Sequence, residues 1–178
     1  GDEAKRIKKF IEDQELHPVA ILLTHGHFDH VMAVDSVRTA YHIPVYAAEA
    51  EKETMQDASI NLSINMGGAM LSVEADHWLK DGETITLLDQ EVRCILTPGH
   101  TVGGMCFYFP KAGMLFSGDT LFQESVGRTD FPGGSMSEIV RSIREKLFVL
   151  PDAVQVYPGH GLMTSIKNEK MFNPFAVE

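Results

Sequence analysis

Residues 25–30 (HGHFDH) put three histidines and an aspartate within six positions, directly after the aliphatic run VAILLT. Imidazole nitrogen and carboxylate oxygen are the ligand atoms of divalent transition ions, and water bound to such an ion ionises toward neutral pH. In extended backbone, residues i and i+2 point the same way, so His25 and His27 can grip one ion. Asp29 and His30, at the start of the helix that follows, can reach a second ion, and two cations a few ångströms apart can share a hydroxide.

Three later segments share this grammar. TPGHT sets His100 after the strand-like run EVRCILT, LFSGDT sets Asp119 after GMLFS, and VYPGHG sets His160 after AVQVY. Glycines 99, 118 and 159 allow a sharp turn at each ligand. Strands aligned in one layer deliver their C-terminal loops to one rim, where residues far apart in sequence converge. A catalytic ion typically uses three protein ligands and keeps an open position. The set His25, His27, Asp29, His30, His100, Asp119 and His160, five imidazoles and two carboxylates, therefore fits two ions with Asp119 as bridge. An oxygen ligand at 119 tolerates Zn, Fe or Mn. His17, His42 and His77 lack such a setting and read as ordinary surface or core histidines.

The positioning elements follow from hydrophobic period. Residues 3–13 form an amphipathic helix, and VAILLT is a strand buried on both faces. Residues 30–41 form a helix with Val31, Val34, Val37 and Ala40 on one stripe, followed by a strand at 44–47 and a helix at 49–56. Residues 57–77 form a long loop with one helical turn. TITLL, EVRCILT, GMCFYF and GMLFSG then read as strands. Ser135 and Glu138 make a capping box ahead of a helix carrying Ile139, Ile143 and Leu147. The strand AVQVY and a helix at 165–171 close the pattern. Since αβ units stand at both ends, the expected fold class is α/β: an αβ/βα sandwich of two mixed sheets with helices on the outer faces.

Length and composition narrow the function. A chain of 178 residues with 44% hydrophobic residues suits one soluble domain, 1–178. The net charge of −10 argues against a nucleic-acid partner and for a small-molecule substrate. No apolar run reaches the roughly 18 residues of a membrane span, and the opening GDEAKRIKKF has no signal-like core, so the cytoplasm is the expected compartment. Cys94 and Cys106 sit within apolar strands and read as core thiols. The oligomeric state is left open.

THGHFDH (24–30), PGHT (98–101), GDT (118–120) and PGHG (158–161), in that order, resemble the metallo-β-lactamase superfamily. The string LFSGDTLFQESVGRTDFPGGS is similar to its glyoxalase II-like hydrolase branch. The resemblance implies that His25, His27 and His100 hold one ion, that Asp29, His30 and His160 hold the other, and that Asp119 bridges them. It implies two divalent ions, Zn foremost, whose bound hydroxide attacks the carbonyl of a thioester such as a 2-hydroxyacyl-glutathione. Asp29 and Asp119 are the candidate catalytic carboxylates, with Asp29 orienting the water. Thr24 and Thr101 stand beside ligands as hydrogen-bond partners. Arg128 suits either a substrate carboxylate or a salt bridge with Asp130.

The chain also departs from that family. Larger glyoxalase II enzymes carry a C-terminal helical domain that helps hold glutathione, and only 18 residues follow His160 here. Zinc β-lactamases commonly use a Cys ligand at the second ion, and neither Cys94 nor Cys106 adjoins a ligand motif, which argues against antibiotic hydrolysis. Relatives begin with several strands before the helix matching residues 3–13, so this chain, opening at Gly1-Asp2, is expected to lack its N-terminal strands. Persulfide dioxygenases share the fold and use a single iron, which makes them the alternative enzyme class. A metal-binding scaffold without activity is the non-enzymatic alternative.

Overall fold

The computed structural model describes residues 2–176 of the protein, and the expectation about strands preceding Gly1 lies outside them. Helix α1 (Asp2–Asp13) carries surface pairs between Arg6 and Glu3 and between Lys9 and Asp13. Strand β1 (Ile21–Leu22) follows; only these two residues of VAILLT pair, and both are half-buried because β1 ends the order β1-β2-β3 among the described residues. The single helix expected over 30–41 is two, α2 (Phe28–Val31) and α3 (Val34–Tyr41), broken at Met32 and Ala33. Val31, Val34 and Val37 are buried, whereas Ala40 is exposed. Helical spacing carries the inner stripe from Val37 to half-buried Tyr41 instead.

Strand β2 (Val45–Ala48) is followed by a 3₁₀ turn at Glu49–Glu51 and helix α4 (Lys52–Gln56). The long loop holds one wide turn, Ser63–Gly67, and is stitched by buried Asn61, whose amide donates to Leu71 O at 2.9 Å and whose side-chain oxygen accepts from Ser63 N at 2.9 Å. It leads into β3 (His77–Leu79), parallel to β2, as β2 is to β1.

The larger sheet is built from β4 (Thr84–Leu87), β5 (Gln90–Leu96), β6 (Met105–Phe109) and β7 (Met114–Gly118). A small hairpin, β8 (Leu121–Phe122) and β9 (Ser125–Val126), precedes α5 (Met136–Ser142), which continues in a wider turn over Ile143–Leu147. Strands β10 (Gln155–Pro158) and β11 (Thr164–Ser165) and helix α6 (Ile166–Phe172) complete the chain. The order is β11-β10-β7-β6-β5-β4, with β10 parallel to β7 and the other pairs antiparallel. Ser135 caps α5 as expected, its hydroxyl accepting from Glu138 N at 3.3 Å. The sequence reading passed over β3, β8, β9 and β11, which are too short to show a period of two.

Side chains alternate across each strand and so define three apolar layers. Ala48 of β2 and Leu79 of β3 meet Val92, Cys94, Met105 and Phe107 of the larger sheet, which is the contact between sheets. The other face of the small sheet, with Val45 and Ala47, packs on Val31, Val34 and Met55 of the outer helices. The other face of the large sheet, with Cys106, Tyr108 and Leu115, packs on Ile139, Ile143, Leu147 and Ile166. The expected αβ/βα sandwich is thus the observed one. Cys94 and Cys106 lie on opposite faces of their sheet as free, buried thiols, and burial pushes both up to about 11. No helix among the described residues is long and apolar enough to cross a membrane.

Two reversals, β5 to β6 and β6 to β7, followed by the parallel step from β7 to β10, make β5, β7 and β10 run the same way. Their C-terminal ends share one rim. Helix α5 is docked there: Ser135 N donates to Gly99 O at 2.7 Å and the Ser142 hydroxyl donates to Pro98 O at 2.9 Å. Gly99 has φ +138° and a Cβ would collide with the Ile139 backbone. Gly99→Ala is therefore expected to destabilise the protein by about 3 kcal/mol or more, combining backbone strain with overpacking. Equilibrium urea unfolding measures this; a change under about 1 kcal/mol would show that the α5 contact gives way freely.

Candidate metal centre

Five of the seven candidate ligands stand just past a strand end at this rim. His25 and His27 follow β1, His100 follows β5, Asp119 follows β7 and His160 follows β10, while Asp29 and His30 lie in α2. The donors come from both sheets rather than one layer, so the site sits where the two sheets meet. Met105 N donates to Thr24 O at 2.8 Å and ties the sheets together beside it.

All seven residues converge. Three overlapping triads, His25/His27/His100, His25/His30/Asp119 and Asp29/His30/His160, have donor atoms within 4.8 Å of one another. His27 Nδ1 lies 2.9 Å from His100 Nε2, and the His25 ring centroid is 4.9 Å from that of His27 and 4.8 Å from that of His100. Asp119 stands between the triads: Oδ1 is 3.4 Å from His30 Nε2, and Oδ2 is 3.7 Å from both His100 Nε2 and His160 Nε2. His160 Nε2 is 3.1 Å from Asp29 Oδ2. His17, His42 and His77 lie elsewhere; His77 stacks on Tyr46 at 4.4 Å.

The outward ring atoms are anchored, which fixes what faces inward. His100 Nδ1 donates to Arg128 O at 2.7 Å, leaving the Nε2 lone pair for the cluster. Thr24 Oγ1 lies 3.2 Å from His25 Nδ1, so a proton donated to the hydroxyl leaves His25 Nε2 unprotonated. Against expectation, the Thr101 hydroxyl bonds not to a candidate ligand but to Glu51, donating to Oε2 at 3.0 Å. Glu51, a buried residue the sequence reading passed over, also accepts from Gly26 N and Gly103 N. Nothing in the acidic run EAEKE distinguishes it from its exposed neighbours.

Burial and the other imidazoles hold His25 well below the ordinary histidine value, and burial with His100 lowers His27 to about 4. Burial also lowers His30, against the pull of Asp119 and Asp29. These rings are neutral at pH 7 and keep their lone pairs. Burial raises Asp119, which the nearby His30, His100 and His160 oppose. His25 Nε2, His27 Nε2, His30 Nε2 and Asp119 Oδ1 are buried without a hydrogen-bond partner. Orphaned nitrogen and oxygen acceptors in this number fit divalent cations, which would satisfy them together.

A cavity of about 330 Å³ opens onto the cluster and is lined by Phe28, Leu62, Met66, Phe122 and Phe131 besides Arg128 and the donors other than His25 and His30. A larger open cleft of about 750 Å³, along residues 49–58 and 64–72, contains no histidine; the donors, not the size, mark the site. Arg128 points its guanidinium at Asp130, with bonds of 2.9 and 2.7 Å, and lies 4.2 Å over the Phe131 ring. The salt bridge is thus formed, and it is the Arg128 carbonyl that reaches a cluster residue.

Comparison with known proteins agrees with this geometry. The probable metallo-hydrolase YqgX of Bacillus subtilis is 40% identical over 176 residues, covering 98% of this chain and 83% of that protein. The hydroxyacylglutathione hydrolase GloC of Haemophilus influenzae is 34% identical over 179 residues, covering 98% and 84%. Among solved structures, the BLEG-1 B3 metallo-beta-lactamase superposes with a TM-score of 0.93 at 39% identity, over 98% of this chain and 85% of that one. TTHA1623 in a di-iron-bound form gives 0.86 at 35%, over 98% and 86%. The sequence model of the metallo-beta-lactamase superfamily, whose members bind divalent metals, matches residues 1–160. By motif order, donor geometry and this match, the chain belongs to the metallo-beta-lactamase superfamily.

Proposed function

We propose that the protein is a metal-dependent hydrolase of thioesters, acting on a 2-hydroxyacyl adduct of a small thiol, with S-lactoylglutathione as the representative substrate. The observation that carries this reading is the pair of donor triads, joined by Asp119, at the floor of an apolar cavity. The likeness to a hydroxyacylglutathione hydrolase supports the choice of thioester. His25, His27 and His100 would hold one ion, Asp29, His30 and His160 the second, and Asp119 both. Zinc is the first candidate, and iron or manganese fits the same donors.

Two divalent ions bound there supply a water ionised near neutral pH and a Lewis acid for the carbonyl oxygen. The chain supplies the rest. Asp29, the more exposed carboxylate, faces the cavity and is placed to accept a proton from the attacking water and orient it. Phe28, Phe122 and Phe131 exclude bulk water and cover the apolar part of the substrate. Arg128 lies on the cavity wall, where a substrate carboxylate can share its guanidinium with Asp130.

A second reading, β-lactam hydrolysis, is favoured by the likeness to BLEG-1. It uses the same donors and differs in the substrate the cavity admits.

The backbone presses closely on the donors at Gly159, where a Cβ would collide with Asp119 Oδ1 and stand 2.7 Å from His30 Cε1. Gly159→Ala is expected to weaken ion binding about 10-fold or more, read by chelator competition. The melting temperature of the metal-stripped variant should stay within a few degrees of the stripped wild type. Wild-type affinity in that variant would mean that the rim yields.

His27→Ala and Asp119→Ala are each expected to lower kcat/KM for S-lactoylglutathione by more than about 100-fold, since each removes a direct ligand. Parallel assays with a chromogenic cephalosporin, and of oxygen uptake with glutathione persulfide, separate the β-lactamase and dioxygenase alternatives. Thioester turnover unchanged in both variants would remove the metal centre from the mechanism.

A further inference from the structure

We propose that Glu51 is the positioning residue of the His25/His27/His100 triad, its carboxylate tying the backbone that carries His25 and His27 to the backbone that follows His100. The inference rests on the metal-centre reading above and goes beyond its ligands. Glu51 is 1% exposed and carries no ligand atom of the cluster. Its Oε1 accepts the N–H of Gly26, the residue between the two histidines, at 3.0 Å. Its Oε2 accepts the N–H of Gly103 at 2.8 Å and the hydroxyl of Thr101, next to His100, at 3.0 Å.

One carboxylate therefore spans two ligand loops that come from different sheets. It does so from the 3₁₀ turn ahead of α4, which is fixed by the burial of Thr54 and Met55. The approach is close enough that a Cβ at Gly103 would collide with Glu51 N and Oε2. The Thr54 side chain, one turn on, is a fourth donor, and all four donors are neutral, so the carboxylate is met by hydrogen bonds that oppose the upward push of burial.

An amide cannot replace it. Glutamine keeps the shape but has one acceptor oxygen, so its NH₂ must face either Gly26 N–H or the Gly103 and Thr101 donors. With the NH₂ toward Gly26 that loop loses its tie, and with the NH₂ on the other side Gly103 N–H loses its acceptor and only the Thr101 hydroxyl, turned to accept, still joins the loops; either way the two halves of the triad are held less firmly.

The test is cobalt(II) titration of the full chain, stripped and reloaded, against a competing chelator, with the visible spectrum followed. His27→Ala and His160→Ala assign the signals of the two triads. Glu51→Gln is expected to weaken the ion of the His25/His27/His100 triad 10- to 100-fold and to change its spectrum. The ion of the Asp29/His30/His160 triad should shift less than about 3-fold, and Ile143→Ala, a distant core change, should leave both affinities intact. If Glu51→Gln does not fold, Thr101→Val decides, since it removes only one bond to the carboxylate: a several-fold loss confined to the first triad supports the proposal. Wild-type affinity and spectrum in Glu51→Gln, or in Thr101→Val where that variant stands in, overturn it. A wild-type chain that takes up no cobalt overturns the metal-centre reading itself, which is a different result from loss of the inference alone.

Discussion

Three imidazole nitrogens and one carboxylate oxygen, on His25, His27, His30 and Asp119, are buried at the rim with no partner from the protein. Each unmade hydrogen bond of a buried polar group costs about 1–3 kcal/mol, so this arrangement opposes folding unless something else fills it. The rest of the structure answers that cost. The three apolar layers hold the sheets together, and the loops of His25, His27 and His100 are bonded to one another through Glu51 and, at Gly99, to helix α5. A cation bound there would find donors already facing it, and the neutral state imposed on His25 and His27 would spare it competition from protons at pH 7.

The two triads are not equivalent. His25, His27 and His100 are all buried, whereas Asp29 is exposed and the side chain of His160 is 59% exposed. Topology explains the difference. The first triad lies at the junction of the sheets, under the loop bonds from Glu51, Thr24 and the Arg128 carbonyl. The second is built from a four-residue helix and from a loop beyond β10, next to the two-residue strand β11 that ends the sheet. In the proposed hydrolase, preorganisation would belong to the first ion and access to the second.

The candidate donors were legible because four short strings set His25 and His27, His100, Asp119 and His160 after a strand, with Asp29 and His30 continuing the first string into α2, and because repetition of that pattern is informative where a lone histidine is not. The long strands β5, β6 and β7 and the capped helix α5 were legible from period and from the Ser135–Glu138 pair. What escaped has a physical reason. Strands of two or three residues, such as β8 and β11, carry no period, and their pairing is decided by tertiary neighbours. The break between α2 and α3 leaves the valine stripe intact, so the sequence pattern is blind to it. Glu51 is the sharpest case, because its role depends on the backbone N–H groups of Gly26 and Gly103, which no side-chain pattern records.

The walls of the cavity divide differently again. Phe28, Leu62, Met66, Phe122 and Phe131 come from separate segments and share only the property of being apolar, so no motif announces them. Arg128 shows how one position can serve both demands. Its carbonyl accepts from His100 and would do so with another side chain at that position, while its guanidinium forms an exposed pair with Asp130. An ion pair in water contributes little to stability, so that pair can open toward a charged substrate without disturbing the fold. In the proposed hydrolase the backbone of this loop would serve the ion and its side chains the substrate, so that the second could change without touching the first.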